Sequence, residues 1–205
     1  MKVLLLNGSP RANGCTYVAL SEVEKALNEC GVETELIHVG HQSIHGCIAC
    51  LQCKKTGQCV FDDVVNALAA KFEEADGLVV GSPVYYASAA GTITALMDRL
   101  FYSTSFSKRM KVGASVASAR RAGTIATIDQ LNKYFSIAQM PIVSSNYWNE
   151  VHGTTAEEVK KDEEGLQTMR VLGRNMAFLI KAIAAEKAKN GLPEEEPKLH
   201  TNFIR

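Results

Sequence analysis

Four cysteines lie close together in this chain, and thiols at such spacing can bind metal. They are Cys47, Cys50, Cys53 and Cys59, and the 205-residue sequence holds only two others. Nothing in the composition suggests a secreted chain that needs disulfides to support a small core. A quartet at this spacing can hold one [4Fe–4S] cluster or one tetrahedral zinc ion. A loop of metal-free thiols is the third interpretation.

The spacing within the quartet favours iron–sulfur chemistry over zinc. Ferredoxins share the Cys-x2-Cys-x2-Cys start, although their next cysteine usually serves a different cluster. Here Cys59 is the only plausible fourth ligand nearby. Structural zinc sites usually pair two knuckles across a longer loop, which fits this triple less well.

A second group of polar residues follows the first apolar run and is suited to binding a phosphate. Serine and threonine hydroxyls, an arginine and the free N–H groups of a helix N-terminus would all face an anion there. No Gly-Lys-Ser/Thr follows, so the loop is not a nucleotide-hydrolysing one. An ordinary strand–helix turn is the alternative. The candidate residues are Ser9, Arg11, Asn13, Gly14, Cys15 and Thr16.

Cys15 allows two interpretations. At a helix N-terminus its thiol pKa could be lowered, which would make it reactive. A small residue that fills a tight loop explains it as well.

Two further loops could contact a planar ligand. The segment Pro83, Val84, Tyr85 and Tyr86 offers aromatic faces, although paired tyrosines often serve packing or a subunit interface instead. The segment with Ser118, Arg120 and Gly123 combines small residues with a cation, for which a solvated surface is the alternative.

The elements that must position these loops alternate along the chain. Strands are predicted at 2–7, 32–39, 77–83, 112–118 and 141–143, with helices between them and a long final helix that ends before Gly191. Five alternating units predict an α/β fold with a doubly wound, five-stranded parallel sheet in a three-layer αβα arrangement. Ligands of such sheets bind outside the carboxyl ends of the strands, where these loops begin.

Composition limits the classes of partner. Lysine plus arginine equals aspartate plus glutamate at 22 each, so neither nucleic acid nor an anionic membrane is favoured. The first apolar run is too short for a signal core, and no apolar stretch reaches the ~18–20 residues that span a bilayer. We expect a cytoplasmic protein. The predicted organisation is one domain over residues 1–190, with a cysteine-rich insertion at 40–61 and a tail at 191–205.

Several motifs together resemble one family. The chain is similar to the NAD(P)H-dependent FMN reductase branch of the flavodoxin-like proteins, and its quartet followed by two aspartates looks like the iron–sulfur flavoproteins of that branch. The match is good over about the first 125 residues and looser afterwards. Its motifs are Ser9-Pro10-Arg11-x2-Gly14-x-Thr16, Ala75-Asp76-Gly77 leading to Gly81-Ser82-Pro83-Val84-Tyr85, and Met97-Asp98-Arg99.

The resemblance implies a flavodoxin-like fold that binds FMN. The phosphate would lie in the Ser9–Thr16 loop, and the flavin ring against Pro83 to Tyr86, with the 118–123 loop on another side. It also implies a homodimer or homotetramer and NAD(P)H as co-substrate.

We therefore expect an FMN-dependent NAD(P)H oxidoreductase that passes electrons to a small acceptor, with a possible [4Fe–4S] relay and a ferredoxin-like protein as partner. Two alternatives stay open. One is a flavodoxin-like electron carrier with no small-molecule substrate of its own. The other is a binding module that senses redox state through zinc or thiols.

Overall fold

One parallel sheet forms the centre of the computed structural model, which describes residues 1–203. The strands are β1 Lys2–Asn7, β2 Glu33–His38, β3 Gly77–Tyr85, β4 Ser88–Ala89, β5 Val112–Ala119 and β6 Glu150–His152. The parallel strands have the order β2-β1-β3-β5-β6, and the two-residue strand β4 pairs antiparallel with β3.

Helices cover both faces of the sheet because the inner strands are apolar on both sides. Alternate residues of β1 point to opposite faces: Val3 and Leu5 pack with α1 and α7, whereas Leu4 and Leu6 pack with α3, α4 and α5. The predicted doubly wound, three-layer fold is confirmed. The helices are α1 Cys15–Glu29, α2 Cys53–Thr56, α3 Val64–Glu74, α4 Gly91–Ser103, α5 Thr124–Ile137, α6 Ala156–Val159 and α7 Glu163–Asn190.

The fifth parallel strand is not where the sequence predicts it. Ile142 makes only an isolated bridge to Gly113. The chain then leaves the sheet and returns as β6, which pairs with the carboxyl end of β5. Edge strands need no continuous apolar run, and β6 has one apolar residue, Val151. The predicted segment 141–143 therefore pairs parallel with β5 only at this bridge, and the strand that continues the edge, β6, was not predicted.

The segment after the third strand also differs from the predicted loop. The strand β3 continues to Tyr85 and turns back as a hairpin into β4. Both turn residues, Tyr86 and Ala87, have positive φ angles, 51° and 57°. Two-residue turns of this kind usually contain Asn-Gly, so Tyr-Ala gives no hairpin signal.

The tail begins where α7 ends, at Gly191 with φ 80°. Arg109 donates a hydrogen bond to the carbonyl of Pro193 and holds the start of the tail. The last two residues of the predicted tail, 204 and 205, lie outside the described residues. Across the described chain, no helix has both the length and the apolar character needed to cross a membrane.

Candidate functional site

The loop after β1 is shaped by a buried asparagine at the end of that strand. Asn7 Oδ1 accepts a hydrogen bond from the Ser9 N–H at 3.1 Å, and its Nδ2 donates to the Ala12 carbonyl at 3.0 Å. These two bonds fix the turn that carries the candidate phosphate ligands. The sequence analysis did not predict this role of Asn7. A polar residue at the end of a buried strand needs hydrogen-bond partners, and this could have indicated it.

The N-terminus of α1 has unsatisfied donors. Its N-cap is Gly14, which has no side chain to accept from the first turn, and that turn contains no acidic residue. The first N–H groups of a helix need an acceptor, and the helix dipole favours an anion there. Ser9 and Thr16 are buried beside them. The arrangement fits a phosphate.

Three loops meet at one cavity of about 230 Å³ beside this helix end. They follow β1, β3 and β5, as the topology of a doubly wound sheet requires. The lining contains nine of the candidate flavin-site residues predicted from the sequence: Ser9, Arg11, Cys15, Thr16, Pro83, Val84, Tyr85, Ser118 and Arg120.

The other four candidates lie around this cavity rather than in its lining. Asn13 and Gly14 line a neighbouring cavity of about 320 Å³ that also contacts Arg11 and Cys15. Tyr86 is at the tip of the hairpin with its ring fully exposed.

Gly123 holds two of the loops in contact. Its φ of +93° favours glycine, and a Cβ there would stand 2.8 Å from Val84 Cγ1 and 2.9 Å from Ala87 Cα. The 118–123 loop can therefore pack this closely on the hairpin only with glycine at this position.

A pair of hydroxyls ties the first loop to the third. Thr16 Oγ1 and Ser118 Oγ are 2.8 Å apart, and both residues are buried. One of the two can still donate outward while the other accepts, so the pair can offer a proton to an anion in the cavity.

Gly153 and Thr154 line the same cavity, and the sequence analysis did not predict them. They follow β6 directly, so only a correct prediction of that strand could have identified them from the sequence. The Cys15 thiol donates to the Gly153 carbonyl at 3.5 Å. Burial raises the pKa of this thiol above its usual value, which favours the packing interpretation of Cys15 over the reactive one.

The four clustered cysteines line one small pocket, a cavity of about 20 Å³. Ala49 and Leu51, on either side of Cys50, have φ angles of 53° and 58°. Non-glycine residues adopt this left-handed conformation at a cost of roughly 1–2 kcal/mol each. Such strain clusters at functional sites. Here it lets three successive cysteines turn toward a common pocket.

The fourth cysteine is held by the helix that follows it. Asn66 of α3 accepts from the Cys59 N–H at 2.9 Å and donates to the Cys59 carbonyl at 3.0 Å. The same helix begins with Asp63 as its N-cap, which accepts from the Val65 N–H at 3.1 Å. Of the two aspartates that follow the quartet, Asp63 is therefore the one that caps α3.

Arg99 of α4 lies under the cysteine pocket and is 1% exposed. Its two terminal nitrogens donate to the Asp63 carboxylate at 2.5 and 2.9 Å, and its Nε donates to Cys59 Sγ at 3.2 Å. Burial alone would lower the pKa of the guanidinium, but the bonds to Asp63 and Cys59 raise it overall. Burial likewise opposes ionisation of Asp63, yet its bond with Arg99 holds the pKa of this carboxyl below its usual value. A charged pair therefore fixes the base of the pocket.

The start of the cysteine segment is fixed to the loop after β1, which carries the candidate phosphate ligands. His38 Nε2 lies 2.7 Å from the Ser9 carbonyl oxygen, and the Gly40 N–H donates to the Asn7 carbonyl at 3.1 Å. A Cβ at Gly40 would stand only 2.2 Å from the Ser9 carbonyl oxygen. The two candidate sites therefore share one piece of backbone.

Within the described part of the chain, no three His, Cys, Asp or Glu side chains stand close enough to hold a single metal ion. The cysteines share a pocket without converging on one point, and none is paired in a disulfide.

Comparisons with known proteins agree with this fold and sequence pattern. A family model described as NADPH-dependent FMN reductase matches residues 1–155. An iron–sulfur flavoprotein of Methanocaldococcus jannaschii is 37% identical over 191 residues, which cover 89% of this chain and 99% of the relative. An iron–sulfur flavoprotein of Methanosarcina thermophila is 29% identical, with 92% and 100% covered.

Solved structures with low sequence identity share the fold. The crystal structure of RosB with a bound 8-demethyl-8-formylriboflavin-5'-phosphate intermediate aligns with a TM-score of 0.73 and 16% identity, covering 100% of this chain and 94% of RosB. A flavodoxin from the domain Archaea aligns with a TM-score of 0.60 and 17% identity, covering 88% and 99%. The match over residues 1–155 and the 37% identical relative show that the chain belongs to the NADPH-dependent FMN reductase family, flavin oxidoreductases with a flavodoxin-like fold.

Proposed function

We propose that this protein binds FMN in the cavity between the three loops, oxidises NADPH or NADH, and passes electrons through a [4Fe–4S] cluster held by Cys47, Cys50, Cys53 and Cys59. The observation that carries the proposal is the convergence of three loops at the uncapped N-terminus of α1. The final acceptor would be a small molecule or a ferredoxin-like protein.

The residues present fit FMN. The phosphate would be held by the α1 N-terminus together with Ser9, Arg11, Asn13, Gly14, Cys15 and Thr16. The flavin ring would lie against Pro83, Val84, Tyr85 and Tyr86, with Ser118, Arg120 and Gly123 forming another side. FMN, when bound, supplies the exchange between two-electron and one-electron transfer. The chain would contribute orientation, charge neutralisation by Arg11 and a hydrogen-bond donor from the buried Thr16–Ser118 pair.

A nicotinamide ring must reach the flavin from the open side of this cavity, since the described chain forms a single doubly wound sheet and offers no second nucleotide-binding fold. Tyr85 is exposed for about half of its surface, and Tyr86 for all of it. These rings provide an aromatic surface beside the cavity on which a nicotinamide could stack. The same opening would then admit a small acceptor, so we expect ping-pong kinetics.

The arrangement of the four thiols favours an iron–sulfur cluster over zinc, and the cysteine segment would have to open around it because the cavity of about 20 Å³ has room for about one water. Four thiolates at about 2.3 Å from one zinc ion lie roughly 3.8 Å apart. The described cysteines line one pocket without such convergence. A cluster binds each thiolate at a separate iron, so its ligands are farther apart. When bound, it supplies one-electron transfer. The chain fixes Cys59 through Asn66 and Arg99.

We further propose a cytoplasmic homodimer or homotetramer. Tyr86, Tyr147 and Trp148 are large aromatic residues with exposed rings, and Tyr86 sits on a turn with positive φ angles. Contact with a second copy would explain both features. Light scattering on the eluted protein would test this; a monomer would refute it.

The proposal is tested by the spectrum of anaerobically purified protein with iron and sulfide assays. We expect flavin absorption with a broad iron–sulfur band, and bleaching on addition of NADPH. The double variant Cys50→Ser/Cys53→Ser should lose iron yet retain FMN, because neither residue belongs to the core clusters that hold the sheet. Cys30→Ser is the matched control and should retain both.

Each other outcome refutes a named part. Colourless protein that contains zinc would refute the flavin and cluster assignments and favour the sensing module. Loss of FMN together with iron in the double variant would contradict the independence of the two sites. Bleaching by a reduced ferredoxin but not by NADPH or NADH would favour the electron carrier.

A further inference from the structure

The helix α4 places two hydrogen-bond donors at the base of the cysteine pocket. Arg99 and Ser103 are one helical turn apart, so their side chains lie on the same face. Both line the pocket that the four cysteines share. Neither was among our predicted site residues, because a helix sequence alone does not show which polar residues are buried.

Arg99 makes more contacts to the cysteine segment than an ion pair requires. Besides Asp63, it donates from Nε to Cys59 Sγ at 3.2 Å and from a terminal nitrogen to the His45 carbonyl at 3.3 Å. Its guanidinium also lies 5.0 Å from the centre of the Phe61 ring. A buried cation thus contacts the segment before and after the quartet and one of the four sulfur atoms directly.

Ser103 has a hydroxyl without a partner. The residue is 6% exposed, and its Oγ is fully buried with no hydrogen-bond partner among residues 1–203. The hydroxyl of the neighbouring Thr104, by contrast, has a partner within the helix, because its Oγ1 donates to the Leu100 carbonyl at 2.6 Å. A buried hydroxyl left unpaired destabilises the fold. An unpaired hydroxyl in this pocket can donate a hydrogen bond to a ligand with acceptor atoms. Sulfide and thiolate sulfurs are such acceptors.

We infer that Arg99 and Ser103 form a donor pair that hydrogen-bonds the sulfur atoms of the bound cluster and raises its reduction potential. The inference rests on the cluster proposed above. One-electron reduction adds one negative charge to the iron–sulfur unit. Hydrogen bonds to its sulfurs and a buried cation next to a ligand stabilise that charge. Arg99 acts on Cys59, so it is a positioning residue as well as a source of charge.

The test compares Ser103→Ala and Arg99→Lys with wild type, each purified anaerobically, with Thr104→Val as matched control on the same helix end. Iron, sulfide and FMN contents are measured first. The cluster's reduction potential is then determined by an anaerobic titration followed by electron paramagnetic resonance. We expect each of the two variants to shift the reduction equilibrium at least tenfold toward the oxidised form, which is 59 mV for one electron. Thr104→Val should leave it unchanged.

A second measurement separates this role from a structural one. In protein stripped of iron, Ser103→Ala should unfold at the same urea concentration as wild type or a higher one, because it removes an unpaired buried hydroxyl. If the hydroxyl instead stabilised the fold, Ser103→Ala would unfold at a lower urea concentration than wild type. Arg99→Lys retains the charge but loses the Nε donor to Cys59. If Arg99→Lys does not retain iron, the reduction potential of the cluster in Ser103→Ala alone tests the inference.

Two results would overturn the inference, and they are distinguishable. Wild-type protein with FMN but no iron or sulfide would remove the cluster and this inference with it. Wild-type protein with a cluster whose potential is the same in Ser103→Ala would refute the donor pair and leave the proposed function intact.

Discussion

Asp63→Asn should destabilise the fold far more than the same change at the neighbouring aspartate. Removing one partner of a buried ion pair costs roughly 3–5 kcal/mol, because the other charge stays buried and unpaired. Arg99 is 1% exposed, whereas the Asp63 side chain is 21% exposed, so water can replace part of the lost contact. Asparagine caps a helix as well as aspartate does, so the bond to Val65 should survive. We expect a loss of about 2–4 kcal/mol.

The assay is urea unfolding at pH 7, followed by circular dichroism, at one fixed FMN concentration because bound ligand adds to apparent stability. Asp62→Asn is the matched control. Asp62 is exposed, so its change should stay within about 0.5 kcal/mol. A second substitution, Asp63→Ala, removes the cap as well and should cost about 1 kcal/mol more.

The pH dependence provides an internal check. Contact with Arg99 lowers the pKa of Asp63 in the folded protein, so the carboxylate stabilises the fold above the ordinary carboxyl pKa and loses this effect as pH falls. The gap between wild type and Asp63→Asn should therefore shrink below about pH 4. Equal stabilities of Asp63→Asn and Asp62→Asn at pH 7, or a gap that is constant down to pH 3, would refute the reasoning.

Three further substitutions test the other sites. Thr16→Val should weaken FMN binding by roughly 10–100-fold in a fluorescence titration, since it leaves Ser118 without its partner; unchanged affinity would exclude the hydroxyl pair from the site. Gly123→Ala should lower the free energy of unfolding by about 1–3 kcal/mol because of its positive φ and the contact with Val84, and a neutral effect in thermal melts would contradict this. Burial lowers the pKa of Lys108 to about 8, so unfolding binds a proton between about pH 8 and 10.5 and stability should rise with pH in that window. Burial also lowers the pKa of Lys111, so Lys108→Met should reduce that rise rather than abolish it, and an unchanged slope would refute the assignment to Lys108.

Sequence reasoning succeeded where burial is local to an element. The apolar run of β1 predicts a buried strand and the apolar periodicity of α7 predicts a helix, because each element buries a continuous apolar surface against the neighbouring layer. The turn that carries the candidate phosphate ligands was expected between the first strand and the first helix, and it lies between β1 and α1.

The failures concern features that depend on tertiary contact. The strand β6 is short and lies at the sheet edge, so its sequence has little of the apolar signal that inner strands carry. The hairpin at Tyr86 lacks the glycine that normally indicates one. Arg99 belongs to the motif Met97-Asp98-Arg99, but only the packing of the cysteine segment over α4 shows that it is buried. No local pattern reports such contacts.

The cysteine segment is fixed at both of its ends, outside the quartet. Gly40 packs on the Ser9 backbone at one end, and Asp63 is bound to Arg99 at the other. A change of length or the loss of a thiol between these anchors should therefore leave the register of the sheet unchanged, so the segment can be shortened or rebuilt as a cassette on an intact sheet.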